Sequence, residues 1–268
     1  MGTTGEQRET RQRVAPGSAW AALILLLAIA GCGSSEKAMT IPATDLAFTG
    51  TIVVVHSSIA DGLDPENSAI VEVSDVHRSP GGFEALKGQM VTVRMKDVAS
   101  ARVGQKRTFF ADVVSMGEDI GVNEVQSQPA SEKPESVTQK VKESDMKRAD
   151  DDLRRRTETA SVVALGKIIS ITPLKKEQDL DREHDPDWQV VEFRLSSVAK
   201  GKGQETVRFL YPGSRDILFV RYPVIKADEE WTVILDSIKQ MEVGLVIAQP
   251  SDIMPPAEFK RVESVMKK

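Results

Sequence analysis

Two stretches of the chain carry the same pattern of small, β-branched and apolar positions. "FTGTIVVVHSS" (48–58) and "VVALGKIISITP" (162–173) are both rich in Val, Ile and Thr, and Gly166 of the second can be laid on Gly50 of the first. Branched side chains pack well on a pleated surface and are stiff in a helix, so both runs predict strands. The segments that follow repeat in order. "AIVEVSDVHRSPGG" (69–82) and "QVVEFRLSSVAKGKG" (189–203) alternate, align through Val71-Glu72 and Val191-Glu192, and end in Gly-rich turns. "GQMVTVRM" (88–95) and "GQETVRFL" (203–210) share Gly-Gln and, one residue out of step, Val-Arg. "VGQKRTFFADVV" (103–114) and "IKADEEWTVILD" (225–236) each set polar residues before an aromatic-led apolar strand. This shared order predicts an internal duplication.

Each unit reads as about five short strands, a set that must close on itself or pack on something to hide its edges. The expectation is an all-β protein with minor helices: two tandem small barrels of the oligonucleotide/oligosaccharide-binding (OB) type, over 46–126 and 160–254. A pair of β-sandwich units is the alternative. "TASVVALGKIISITP" resembles the opening strand of netrin-like and metalloproteinase-inhibitor OB domains, in which a short helix feeds a long first strand.

The segment between the units (127–159) starts with two prolines and becomes densely charged, with Val141, Met146 and Leu153 scattered among the charges. That composition predicts a solvated, partly helical linker rather than a core element. At the C-terminus (255–268), Phe259, Val262 and Val265 or Met266 recur at helical intervals behind a proline, predicting a short helix docked on the second barrel.

The N-terminus has a different character. Arg8, Arg11 and Arg13 precede an uncharged run from Trp20 to Ala30, which leads into Cys32, the only cysteine of the chain. A membrane span needs roughly 20 apolar residues, and this run is too short for one. Basic residues, an apolar stretch and small residues before a cut are the layout of an export signal over 1–31. Ile29-Ala30-Gly31-Cys32 resembles a bacterial lipobox. The resemblance implies a diacylglycerol on the Cys32 thiol, cleavage before it and acylation of the new amine, with 32–45 as a tether. The implied location is the extracytoplasmic face of the cell envelope, on the outer membrane where the cell has one, since Gly33 rather than Asp follows the cysteine. The inhibitory chemistry of the metalloproteinase-inhibitor family does not transfer, because it uses a free N-terminal cysteine fixed by disulfides.

Loss of the leader removes three arginines and two glutamates, so 35 basic and 40 acidic residues become 32 and 38, a net charge of −6. On that balance nucleic acid is not expected as a partner. The membrane, through the lipid anchor, and an envelope protein or glycan are expected instead. No H-E-x-x-H, G-x-S-x-G, P-loop or dinucleotide fingerprint occurs, so a non-catalytic binding module is the primary reading, with a hydrolase lacking a known motif as an alternative.

Two segments carry candidate chemistry. In "EQDLDREHDPDW" (177–188), Asp179, Asp181, Glu183, Asp185 and Asp187 alternate, and carboxylates so spaced in a loop can converge on Ca²⁺. Counted as an EF-hand from Asp181, the loop has Pro186 where a glycine should make the turn. A Ca²⁺-dependent module is therefore an alternative function; no other cofactor is expected, and one histidine, His184, is too few for a structural zinc site. "FLYPGSRDILFVRYPV" (209–224) has no counterpart in the first unit. Its Tyr211, Arg215, Phe219, Arg221 and Tyr222 are residue types that dominate interfaces.

Overall fold

In the computed structural model, residues 40–267 are described, apart from Gly82, Glu84, Glu118, 175–183, Gly203 and 240–242. Strand β1 (Leu46–Val55) runs antiparallel to β2 (Ser68–Arg78) on one side and to β4 (Lys106–Met116) on the other. β3 (Met90–Arg94) continues from β2, and β5 (Ile120–Pro129) lies between β3, to which it is parallel, and β4. The order β1-β2-β3-β5-β4 closes into a barrel.

The same order returns after residue 160. β6 (Val162–Pro173) pairs with β7 (Trp188–Lys200) and β9 (Glu230–Ser237), β8 (Thr206–Pro212) follows β7, and the two-residue β10 (Leu245–Val246) bridges β8 in parallel and β9 in antiparallel fashion. β11 (Ile253–Met254) adds to the outer side of β9. Both barrels therefore have the five-stranded OB arrangement expected from the strand pattern. Closure rules out the sandwich alternative.

The match extends to irregularities. Pairing of β1 with β2 slips between Ala47 and Phe48, Thr49 and Gly50, and Ile52 and Val54; pairing of β6 with β7 slips between Val163 and Ala164, Leu165 and Gly166, and Ile168 and Ser170. These are the same three places counted from Gly50 and Gly166. Bulges of this kind bend a strand and raise its twist, which lets one long strand belong to both walls of a small barrel. The glycines sit where the bend brings backbones together. A Cβ on Gly50 would lie 2.7 Å from the Glu72 carbonyl oxygen, and one on Gly166 2.2 Å from that of Arg194. Glu72 thus corresponds to Arg194 and Val71 to Phe193, so the sequence overlay of Val71-Glu72 on Val191-Glu192 is two residues out.

Leu46, Phe48, Ile52, Val71 and Phe109 fill the first barrel, with the Phe48 and Phe109 rings stacked at 5.2 Å. Ile168, Phe193, Phe209, Val233 and Leu235 fill the second, where Phe193 and Phe209 meet edge to face at 5.8 Å. Each such side chain contributes about 2 kcal/mol on burial, and with one cysteine in the chain no internal disulfide supplements them.

The charged segment is one helix, α1 (Pro134–Thr159), starting at a proline in its first turn. Its apolar residues are sparse because it is gripped only near its ends. Val137 and Val141 are buried towards its start, where Thr138 and Asp145 hydrogen-bond to His77 and Arg78 of β2. Leu153 is buried towards its end, among Val163, Ile234 and the Val262 and Val265 side chains of α2 (Phe259–Met266). The expected solvated, partly helical linker is a helix over 134–159, exposed or half-buried for the most part yet gripped by both barrels: a strut of about 39 Å at 1.5 Å per residue. Arg78 and Lys200 occupy equivalent strand positions, and both reach it. Arg78 pairs with Asp145 at 2.5 Å, and Lys200 Nζ donates to the Thr157 and Glu158 carbonyls at 2.9 and 2.6 Å, a favourable place for a cation at a helix C-terminus.

Candidate binding groove of the first barrel

The connection from β1 to β2 (56–67) folds back across the barrel mouth. The amides of Ile59 and Ala60 donate to the buried Thr92 Oγ1 on β3 at 3.0 and 3.3 Å, and Ser58 Oγ donates to the Ala60 carbonyl at 2.8 Å. Ala60 and Leu63 then settle on β5, where a Cβ on Gly121 would meet Leu63 Cδ1 at 2.8 Å. With its neighbours pinned inward, Ile59 is left 39% exposed.

Across from it, the β2–β3 connection buries Leu86 in the core while the Gly88 amide donates to the Val73 carbonyl at 2.8 Å. Phe83, half-buried, and Met90, 44% exposed, stand at its two ends. The β4–β5 connection adds Gly117 and Asp119, and Ile120 follows at the start of β5. Together these enclose an open cavity of about 750 Å³ with an apolar floor of Ile59, Phe83, Met90 and Ile120. Among the described lining residues Asp119 alone is charged, and Gln89 offers a second polar group. This mouth lies at β3 and the β1–β2 and β4–β5 connections, the part of an OB barrel that takes ligands. A cavity of this size suits a small molecule or a short stretch of polymer.

The sequence gives no sign of this groove. Its apolar residues come from two connections and the first residues of two strands, with no shared spacing. Only the folded register brings them together.

The segments singled out in the sequence lie elsewhere. Cys32, Asp179, Asp181 and Glu183 fall outside the described residues. Of the remaining acids of that loop, Asp185 Oδ1 accepts the amide of Asp187 at 2.8 Å, and Asp187 has φ +47°. His184 Nδ1 lies 3.1 Å from Asp216 Oδ2. Among the described residues no group of three or more His, Cys, Asp or Glu side chains could hold a metal ion.

The interaction set divides. Tyr211 is 3% exposed and its hydroxyl donates to the Pro223 carbonyl; burial above all, with a smaller contribution from Tyr222, raises its pKa, so it stays a neutral donor. Tyr211 is therefore part of the barrel wall rather than a surface contact. Tyr222 packs edge-on against it at 5.8 Å and donates to the Ala248 carbonyl at 3.1 Å, and Phe219 leans on Tyr222 at 6.3 Å. Arg215 and Arg221 are exposed. The connection is a series of turns, so it neither projects as a hairpin nor adds a strand pair.

The histidines occupy three unlike settings. His56 is exposed at φ +54° with Nδ1 2.8 Å from the Glu66 carbonyl oxygen. His77 is buried between the hydroxyls of Thr49 and Thr138, each at 2.8 Å. His184, exposed, meets the Asp216 carboxylate already named.

No protein-family model and no curated protein matches the chain. Among solved structures, it aligns with the single-stranded DNA binding protein from Thermus aquaticus at 12% identity and a TM-score of 0.19, covering 81% of this chain and 94% of that one. A likeness at that score assigns nothing, and the OB arrangement rests on the strand order. The exclusion of nucleic acid rests on net charge alone, and a total charge does not describe a local surface. That exclusion does not stand.

Among the described residues no helix is long and apolar enough to cross a membrane.

Proposed function

We propose that the protein is a lipid-anchored binding module of the bacterial cell envelope, holding its ligand in the groove at the mouth of the first barrel. The observation that carries this reading is the 750 Å³ groove, where Ile59 and Met90 stay exposed although their neighbours are pinned inward. Isolated exposed apolar residues are ordinary, but several lining one concavity beside a carboxylate favour a binding site. The lining calls for a ligand with an apolar face and a hydrogen-bond donor or positive charge directed at Asp119.

The anchor is supported by the basic leader, the apolar run and Ile29-Ala30-Gly31-Cys32. On this reading the tether holds the barrels outside the cytoplasm, on the outer membrane in a two-membrane cell. Cys32→Ser should release the protein from the membrane fraction of its host, and persistence there would refute the anchor. The groove is tested separately, by a photo-crosslinking residue at Met90 and, as control, at Val114, which is 48% exposed and does not line it. A defined adduct in cells from position 90 alone is expected. Identical patterns from both positions, or none, would refute the groove.

A further inference from the structure

Residues 213–229, between β8 and β9, present an apolar surface that the groove does not use. Ile217, Leu218, Val220 and Val224 are 79%, 60%, 66% and 78% exposed. They are held out rather than hanging loose. Consecutive turns are closed by the Phe219 amide on the Asp216 carbonyl at 2.8 Å and the Tyr222 amide on the Phe219 carbonyl at 3.0 Å. The hydroxyls of Tyr211 and Tyr222 fasten the segment to the barrel at Pro223 and Ala248.

The charges around this tip are sorted. Arg215, Arg221 and Lys226 are exposed. The acids are engaged by the protein: Asp216 accepts the Leu218 amide at 2.9 Å and faces His184, Asp228 pairs with Lys167 at 2.9 Å, and Glu229 accepts from Lys226 N and Trp231 Nε1 at 2.9 and 3.2 Å. Among the described residues the tip (214–224) thus displays aliphatics flanked by two exposed arginines, while the exposed acids Asp187, Asp228 and Glu230 lie where the segment joins the barrel. Protein hot spots favour Tyr, Trp and Arg, with Leu and Val under-represented. Here the aromatics turn inward and plain aliphatics are displayed. Aliphatic side chains gain most from hydrocarbon, and basic side chains at its boundary are drawn to anionic headgroups.

We propose that this connection docks on an anionic lipid bilayer, with Ile217, Leu218, Val220 and Val224 entering the acyl boundary and Arg215 and Arg221 meeting lipid phosphates. This contact is separate from the acyl anchor and from the groove, and it would fix how the barrels face the membrane. The full chain carrying Leu218→Trp, reconstituted in vesicles of phosphatidylcholine and phosphatidylglycerol, tests it through a signal local to the tip. Relative to the unsubstituted chain, the added indole emission should be blue-shifted and several-fold quenched when the acyl chains are brominated. Adding Arg215→Glu and Arg221→Glu should abolish that quenching; both positions are exposed, so an unchanged melting temperature shows the fold intact. Unquenched emission at the wavelength of a water-exposed indole would overturn the proposal, as would quenching that survives charge reversal.

Discussion

His77 of β2 and Thr138 of α1 share a hydrogen bond of 2.8 Å that joins the first barrel to the helix. The Thr138 hydroxyl donates to the Pro134 carbonyl at 2.9 Å, so its oxygen accepts from His77 Nδ1. Nε2 then accepts from Thr49, whose oxygen is in turn open to the Thr108 hydroxyl at 2.9 Å. This arrangement is that of the neutral imidazole, the form burial favours.

Acidification should therefore loosen this joint. Desolvation lowers the His77 pKa below 6.5, outweighing the opposing field of Asp75. The unfolded chain then binds the proton more readily than the folded one. The stabilisation is complete above about pH 6.5 and is lost as pH falls through the lower folded value. Urea melts at stepped pH should show this decline superimposed on the titration of the carboxylates. His77→Gln should reduce the stability difference between neutral and mildly acidic pH; an unchanged difference would contradict the assignment.

Thr108 and Thr232 occupy the same place in the two barrels, but only the first has a hydrogen-bond partner. Thr49, which bonds Thr108, corresponds to Leu165, and Thr232 Oγ1 is buried without a partner. An unsatisfied buried hydroxyl costs about 1–3 kcal/mol. Thr232→Val should therefore raise stability, by about 1 kcal/mol, and Thr108→Val should lower it. Denaturant titration of the pair checks both signs.

Gly166→Ala should cost about 3 kcal/mol or more, because the new methyl meets the backbone oxygen of Arg194 and the Phe193 ring, 2.2 and 2.7 Å from its ideal position. A thermal melt indistinguishable from the parent would mean that β6 can flatten at its bend.

Arg156 of α1 donates to the buried Asp252 at 2.5 Å, and Gln249 N donates to the same carboxylate at 3.0 Å. Burial raises the Asp252 pKa despite these donors, so the carboxylate depends on the guanidinium for its charge. Arg156→Ala should cost about 3 kcal/mol, and Asp252→Asn in that background should restore part of it. Equilibrium unfolding of the single and double variants gives the coupling.

Gly50 and Gly166 made the duplication legible, since a bend forced by backbone contact tolerates no side chain and leaves its mark in both copies. Val71-Glu72 misled for a related reason. Strands of alternating Val and charged residues look alike at every even shift, and the longer connection between β6 and β7 leaves that shift undetermined by spacing. The helical character of 134–159 is legible in the sequence but its grip on the barrels is not, because Val137, Val141 and Leu153 are buried only near its ends. Tyr211 and Arg215 are close in sequence, yet one is in the wall and the other on the surface. The groove left no pattern, being assembled from Ile59, Phe83, Met90 and Ile120.

Because α1 is clasped at either end by a different barrel, neither core can melt without stripping contacts from the rod they share. Two hydrophobic interiors that could have come apart in separate steps should instead give way in a single cooperative transition. Partly opened intermediates would then be scarce, leaving proteases little to cut.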